Sequence, residues 1–342
     1  MKIPPLATLA VVAVTVLSGC SVDNSKPDAA KPTIRIGYQT FPSGDLIVKH
    51  NAWLEMALPD YDIQWTKFDS GADVNKAFIA KEIDFGALGS SPVARGLSAP
   101  LNIPYSVVFI LGVAGDNEAL VARENSGVES VADLRGKRIA TPFGSTAHYS
   151  LLAALAQKGL SASDVQLVDL QPQTILAAWE RGDIEAAYTW LPTLEQLEKN
   201  GKVLITSREL SFIGKPTLDL VAVSNSFAEG NAMAVDIWRQ QQSRALTEIT
   251  NNPAAAARAI AAEIELTPGD VARQLEKTVF LRPDQMASST WLGTDGEPGN
   301  LANDLESASQ FLAEQKQIPA AAPLSVFENA IYTRGLPKVL SR

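Results

Sequence analysis

At 342 residues, 46% of them hydrophobic and 20% charged, the chain has room for two compact units and the composition of a folded protein rather than a disordered or fibrous one. Its 29 Lys and Arg against 38 Asp and Glu give a net charge of -9, without the basic footprint that a nucleic-acid backbone selects, so no nucleic-acid partner is expected. One cysteine and two histidines (His50 and His148) leave too few ligands for a zinc or copper centre, and no Walker loop, G-x-G-x-x-G turn or G-x-S-x-G elbow occurs; no metal, cofactor or familiar catalytic signature is expected.

In chain order, Met1-Lys2 leads into an apolar run from Leu6 to Leu17, the length of a signal-peptide core and short of the roughly 20 residues that a membrane span requires. Residues 1–19 are therefore expected to be removed. The run ends Leu17-Ser18-Gly19-Cys20, and a small pair before the only cysteine looks like the lipobox of bacterial lipoproteins. An ordinary cleavage site with a chance cysteine is the alternative. A lipidated Cys20 begins a tether, residues 20–32, that is small, polar and proline-punctuated.

The folded body is expected to start near Thr33. Thr33 to Tyr38 alternates like a strand, Ser43-Gly44-Asp45 caps a helix from Leu46 to Met56, and Asp62 to Phe68 reads as a second strand. Asp69-Ser70-Gly71 opens the next helix. Strands alternating with amphipathic helices predict α/β architecture with mainly parallel sheets. The rhythm restarts at Lys137–Thr141 (strand), Pro142-Phe143-Gly144 (turn), Ser145 or Thr146 (cap) and Tyr149–Lys158 (helix). A finer echo pairs Lys81-Glu82-Ile83-Asp84-Phe85-Gly86 with Gly182-Asp183-Ile184-Glu185-Ala186-Ala187. After Val223 the chain turns helical and is expected to pack outside the sheets, much of it on the first lobe. The loop Gly293–Gly299 reads as a helix connection, with a ligand lid as the alternative.

In open parallel sheets, ligands bind beyond the carboxyl ends of the strands, where loops open into helix N-termini. That rule selects residues 38–40, 69–71 and 89–92 in the first half, and residues 143–146, 170–172 and 188–190 in the second. Facing each other, such ends form a small-molecule cleft lined by hydroxyls, free N–H groups and aromatic rings.

With those segments placed, the chain resembles the periplasmic taurine-binding proteins of bacterial ABC importers, in the type II solute-binding superfamily. The resemblance is carried by Tyr38-Gln39-Thr40, Phe68 to Ala72, Leu88 to Pro92, Asn117 to Val121, Gly136 to Ala140, Thr146 to Leu155, Leu170 to Pro172, Arg181 to Ile184 and Pro216 to Asp219. It implies a two-lobed type II periplasmic-binding-protein fold whose two hinge crossings fall near residues 121–123 and 220–223. The chain then divides into 33–121 (lobe one), 122–222 (lobe two) and 223–342 (a helical part returning to lobe one). It also implies a monomer in the periplasm, lipid-anchored through Cys20, that hands a sulfonate to an inner-membrane permease. Gly144 stands where a larger residue is more usual in this group, and Ala147 replaces a hydroxyl residue.

Taurine carries a sulfonate and an ammonium two carbons apart. Neutral donors suit the anion, which makes Ser90, Ser91, Ser145 and Thr146 the candidates, with Gln39 adding an amide. Each hydroxyl has the alternative role of capping its own helix. His148, in the first turn after the cap, is expected to be a neutral donor. The ammonium calls for a carboxylate and aromatic faces, which points to Asp219, Glu118 and Trp190. An enzyme on the same scaffold, built on Ser145 and His148, and a receptor for another alkane- or aromatic sulfonate are the alternatives.

Overall fold

The computed structural model describes residues 31–341. The leader, Cys20 and nearly all of the tether lie outside the described residues. Ten strands and the helices between them form two five-stranded sheets. In chain order they are β1 (Thr33–Tyr38), α1 (Gly44–His50), α2 (Trp53–Ala57), β2 (Asp62–Lys67), α3 (Gly71–Ile79), β3 (Phe85–Gly89), α4 (Ser90–Leu97), β4 (Tyr105–Val113) and β5 (Glu118–Arg123). There follow β6 (Arg138–Thr141), α5 (Thr146–Gln157), β7 (Gln166–Asp169), α6 (Pro172–Arg181), β8 (Ala186–Trp190), α7 (Thr193–Leu197), β9 (Gly201–Thr206), α8 (Ser207–Ser211) and β10 (Leu218–Ser224).

Sheet one runs β2-β1-β3-β10-β4 and sheet two β7-β6-β8-β5-β9. In each, four strands are parallel and one, β10 or β5, is antiparallel and second from the edge. The two orders match position by position, so the sequence echo marks a repeated lobe, with its turns leading into β3 and β8. Each lobe receives its antiparallel strand from a crossing. Covered strands read as continuous apolar runs, and β4 is buried at every residue but its last.

Two expectations shift. The crossings lie at residues 114–117 and 212–217, a few residues before 121–123 and 220–223, because Ala119–Ala122 and Leu220–Val223 are strand interiors paired on both sides. Residues 118–121 therefore belong to sheet two and residues 218–222 to sheet one. The helix expected over 46–56 is two helices. Asn51 donates both its N–H and its side-chain amide to Ile47 O, and Ala52 takes a left-handed conformation (φ 50°) that ends the first.

The helical tail packs largely against sheet one. In it, α9 (Asn225–Gly230), α10 (Ala232–Asn251) and α11 (Pro253–Ile264) precede α12 (Pro268–Glu276), α13 (Pro283–Met286), α14 (Leu301–Glu314) and α15 (Leu324–Asn329). Trp238 of α10 stacks on Phe85 of β3 (centroids 5.0 Å apart) and meets Phe109 of β4 edge-on at 5.9 Å. The tail also reaches lobe two: Arg273 and Gln274 of α12 meet Glu195 of α7 at 3.2 and 2.5 Å, and Lys277 meets Glu198 at 2.6 Å. The 293–299 loop is a small hairpin held to the C-terminal segment through Asp295, whose N–H donates to Leu336 O and whose carboxylate accepts from Gly335 N–H. It connects helices and does not line the cleft described below.

Trp238 is 1% exposed, so Trp238→Ala leaves a cavity between α10 and sheet one. It is expected to cost about 3–5 kcal/mol of stability, read as a lower midpoint in chemical denaturation.

Candidate functional site

The carboxyl ends of the two sheets face each other across a hollow whose free interior is about 30 Å³. Three helix N-termini open onto it: α3 through Gly71, α4 through Gly89 and Pro92, and α5 through Ser145 and Thr146. The first N–H groups of a helix have no partner within it and carry the positive end of its dipole. Ala114 and Asn117 of the first crossing, Leu191 after β8, and Phe41 and Pro42 after β1 complete much of the wall. No Lys, Arg or His is among the residues that line the hollow.

The lobes are in close contact here. A Cβ on Gly89 would lie 2.3 Å from Thr146 Cγ2, so glycine is what lets the α4 and α5 N-termini meet. Gln171 Nε2, ahead of α6, lies 3.5 Å from Ser70 Oγ and 3.4 Å from Asp73 Oδ2 across the lobes.

Of the residues selected from sequence, Gln39, Glu118, Ser145, Thr146, Trp190 and Asp219 line the hollow; Ser90, Ser91 and His148 do not. Several hydroxyls have internal partners, which sequence alone does not reveal. Ser145 caps its helix: its Oγ accepts from His148 N–H at 3.1 Å and donates to Pro142 O at 2.6 Å. Thr146 donates its hydroxyl to Glu118 at 2.5 Å, leaving its main-chain N–H for a ligand. Ser90 Oγ accepts from Leu218 N–H at 3.1 Å, tying α4 to β10 next to Asp219. Gln39 donates to Ala87 O at 2.8 Å and turns from an expected donor into a residue with its amide oxygen open.

His148 is buried. Gly144 N–H donates to Nδ1 at 3.2 Å, which places the ring proton on Nε2, a buried atom without a partner. Burial, then the neighbouring Arg95 charge, lowers its pKa to about 4 against an opposing pull from Asp169, so the imidazole is neutral at pH 7. Its ring stacks on Phe143 at 4.6 Å rather than lining the hollow. Gly144 has φ 76°, a left-handed turn that favours glycine, and Arg95 Nη1 reaches within 3.3 Å of where its Cβ would be. Ser145 and His148 form no side-chain dyad, since the serine bonds main-chain groups and the imidazole accepts from Gly144.

The two acids differ. Glu118 accepts from Thr146, Ser150, Ser207 and Thr217; burial raises its pKa while those hydroxyls pull it back. Asp219 accepts no hydrogen bond among the described residues. Burial, then the charge of Glu118, pushes its pKa up to about 7. With no cationic side chain lining the hollow to offset burial, the charged form of this acid is disfavoured.

Sequence reasoning missed Asn117, whose Oδ1 accepts from Gly115 N–H at 2.6 Å while its amide N–H groups stay open, and Thr278, which the tail delivers to the wall. Had the first crossing been located correctly, the strand-end rule would have found Asn117. A second hollow, its free interior about 20 Å³, shares Gln39 and Trp190 with the first. Among the described residues, no group of three or more His, Cys, Asp or Glu side chains is arranged to hold a metal, and no helix is long and apolar enough to cross a membrane.

Comparison with known proteins gives a consistent result. Residues 62–256 match the family model described as NMT1/THI5 like. The chain is similar to the taurine-binding periplasmic protein of Escherichia coli K12, 36% identical over 266 residues that cover 76% of this chain and 80% of that one. Its fold is similar to that of the alkanesulfonate-binding protein from Xanthomonas axonopodis pv. citri bound to MOPS (TM-score 0.72, 24% identity, 87% of this chain and 98% of that one). It is likewise similar to the periplasmic aliphatic sulphonate binding protein from Escherichia coli (TM-score 0.69, 22% identity, 88% and 92%).

Two outcomes follow from the site geometry. Gly89 has φ -77°, which alanine tolerates, so the severe obstacle to Gly89→Ala is the Thr146 methyl, the next atoms lying 3.4 Å away. Small-angle scattering should show a larger radius of gyration for Gly89→Ala, and the double variant with Thr146→Ser, which removes that methyl and keeps the hydroxyl, should return to the parental value. The native Asp219 binds a proton up to about pH 7, whereas its unfolded counterpart releases it near the ordinary aspartate value of 3.8. Ligand-free stability therefore falls as pH rises through that window. Asp219→Asn should flatten the slope in pH-dependent denaturation, with Asp45, also raised to about 7 by burial, keeping its own share.

Proposed function

The chain belongs to the NMT1/THI5-like family, and from that footing we propose that it is the capture component of an ABC importer, binding taurine or a close aminosulfonate between its lobes. The observation that carries this reading is Asp219, an acid with no protein partner in a hollow onto which three helix N-termini open. A sulfonate stays ionised, and neutral donors replace its hydration without burying a counter-charge. The N–H groups at the start of α5 and α4, with the open amide of Asn117, are the donors assigned to it. The ammonium goes to Asp219, with the Gln39 oxygen as a second acceptor and the Trp190 ring as a wall. Opposite charges at the two ends make the site select a zwitterion over a simple anion.

Capture rather than catalysis is supported by the site itself, since Ser145 and His148 are bonded to the main chain and not to each other. Delivery to an inner-membrane permease, a periplasmic location, removal of residues 1–19 and anchoring through a lipid on Cys20 complete the proposal. A longer alkanesulfonate is the second reading, favoured by the adjoining hollow that shares Gln39 and Trp190.

A ligand that binds only the native state raises the melting temperature. Taurine should raise it more than ethanesulfonate, nitrate or a carboxylate analogue, and Asp219→Ala should remove the advantage of taurine over ethanesulfonate while leaving the far-UV circular dichroism unchanged. An undiminished taurine preference in Asp219→Ala refutes the assignment. A larger shift with longer alkanesulfonates selects the second reading.

A further inference from the structure

We propose that Glu118 is a positioning residue: its carboxylate pins the first turns of α5 and the second interlobe crossing to the end of the first, and so sets the shape of the hollow for an anionic ligand with or without an ammonium. The inference deepens the sulfonate-capture reading, and its binding arms rest on it.

Glu118 opens β5 directly after the first crossing and is 3% exposed. Its Oε2 accepts from Thr146 at 2.5 Å; its Oε1 accepts from Ser207 at 2.6 Å, Ser150 at 3.2 Å and Thr217 at 3.2 Å. Those hydroxyls come from the first two turns of α5, the first residue of α8 and the last residue of the second crossing. The crossings are also joined by Ala114 N–H, which donates to Thr217 O at 2.9 Å. Tyr188 lies 3.0 Å from Ser207 Oγ, and because the Ser207 proton goes to Glu118, Tyr188 is the donor of that pair.

Two features separate this arrangement from that of a direct ligand acceptor. Ser150, Ser207 and Thr217 do not line the hollow, so most of the donors that Glu118 receives come from the scaffold. Asp219, two residues after Thr217, has no such donors among the described residues and stays open. Each hydroxyl donates once, so four of them on one buried carboxylate fix four main-chain positions relative to Glu118. One of these is Thr146, whose N–H faces the anion and whose methyl meets Gly89.

The test is titration calorimetry with taurine and with ethanesulfonate, which lacks the ammonium, on Glu118→Gln, Ser207→Ala, Thr217→Val and Thr217→Ser. Positioning predicts that Glu118→Gln weakens both ligands by a similar factor, about tenfold or more, since hydrogen bonds to the buried carboxyl group are lost. Ser207→Ala and Thr217→Val should weaken both by smaller, matched factors, and Thr217→Ser should retain the parental affinities. Loss of taurine alone in Glu118→Gln, or parental binding in both Ser207→Ala and Thr217→Val, overturns the proposal. Hydrogen exchange on the ligand-free proteins gives a reading independent of ligand identity. Residues 146–150 should exchange faster in Thr217→Val than in Thr217→Ser, and equal rates overturn the proposal. If the parent binds neither sulfonate, the capture reading fails and the exchange comparison still decides the role of Glu118.

Discussion

Asp219 has its carboxylate in a desolvating hollow, with no hydrogen-bond donor on it among the described residues and another acid nearby, an arrangement that disfavours the charged form. Much of the surrounding architecture acts to keep that acid open. β10, which carries it, is clamped between β3 and β4 by antiparallel pairing, and Ser90 fixes the main chain of Leu218 beside it. The neighbouring Glu118 has its own hydroxyls and does not compete with Asp219 for a donor. In the proposed reading a ligand cation relieves the cost, which couples binding to lobe geometry through one side chain.

The other end of the hollow depends on close approach rather than on charge. With no side chain at Gly89, the α4 terminus can touch Thr146 at the start of α5, and their unpaired N–H groups come from opposite lobes. The same approach is braced from outside by the tail, where Arg273 and Gln274 of α12 meet Glu195 of α7, Lys277 just after α12 meets Glu198 just after α7, and Phe311 of α14 meets Tyr149 of α5 edge-on at 5.0 Å. Exposed ion pairs of this kind each contribute little, so the contact of the helix ends sets the fit and the bridges support it.

The lobed α/β architecture was legible because strand alternation and helix caps recur in both halves, and the strand-end rule alone led to Gln39, Gly71, Gly89, Ser145, Thr146 and Trp190. The class of ligand came from resemblance, not from periodicity. The limits were tertiary. A buried strand and a buried hinge read alike in sequence, which displaced both crossings by a few residues. A serine that caps and a serine that binds have the same signature, so the pairing of Ser145 with Pro142 and of Thr146 with Glu118 became visible only when β5, α5 and the 142–145 turn were placed together. His148 was expected to be a neutral donor, but its Nδ1 accepts from Gly144 and its ring packs on Phe143 away from the hollow. Thr278 is too distant in the chain to be assigned to the wall by any local pattern.

The central claim, that an open Asp219 receives the ligand's ammonium, has a direct thermodynamic signature. Near pH 6 the unliganded acid is mostly protonated, since its pKa is about 7, and it must ionise to pair with a cation. Calorimetry of taurine binding at pH 6 in buffers of different ionisation enthalpy counts the protons exchanged. The account predicts release of close to one proton per taurine bound. Binding with no proton released, or with uptake, would contradict it.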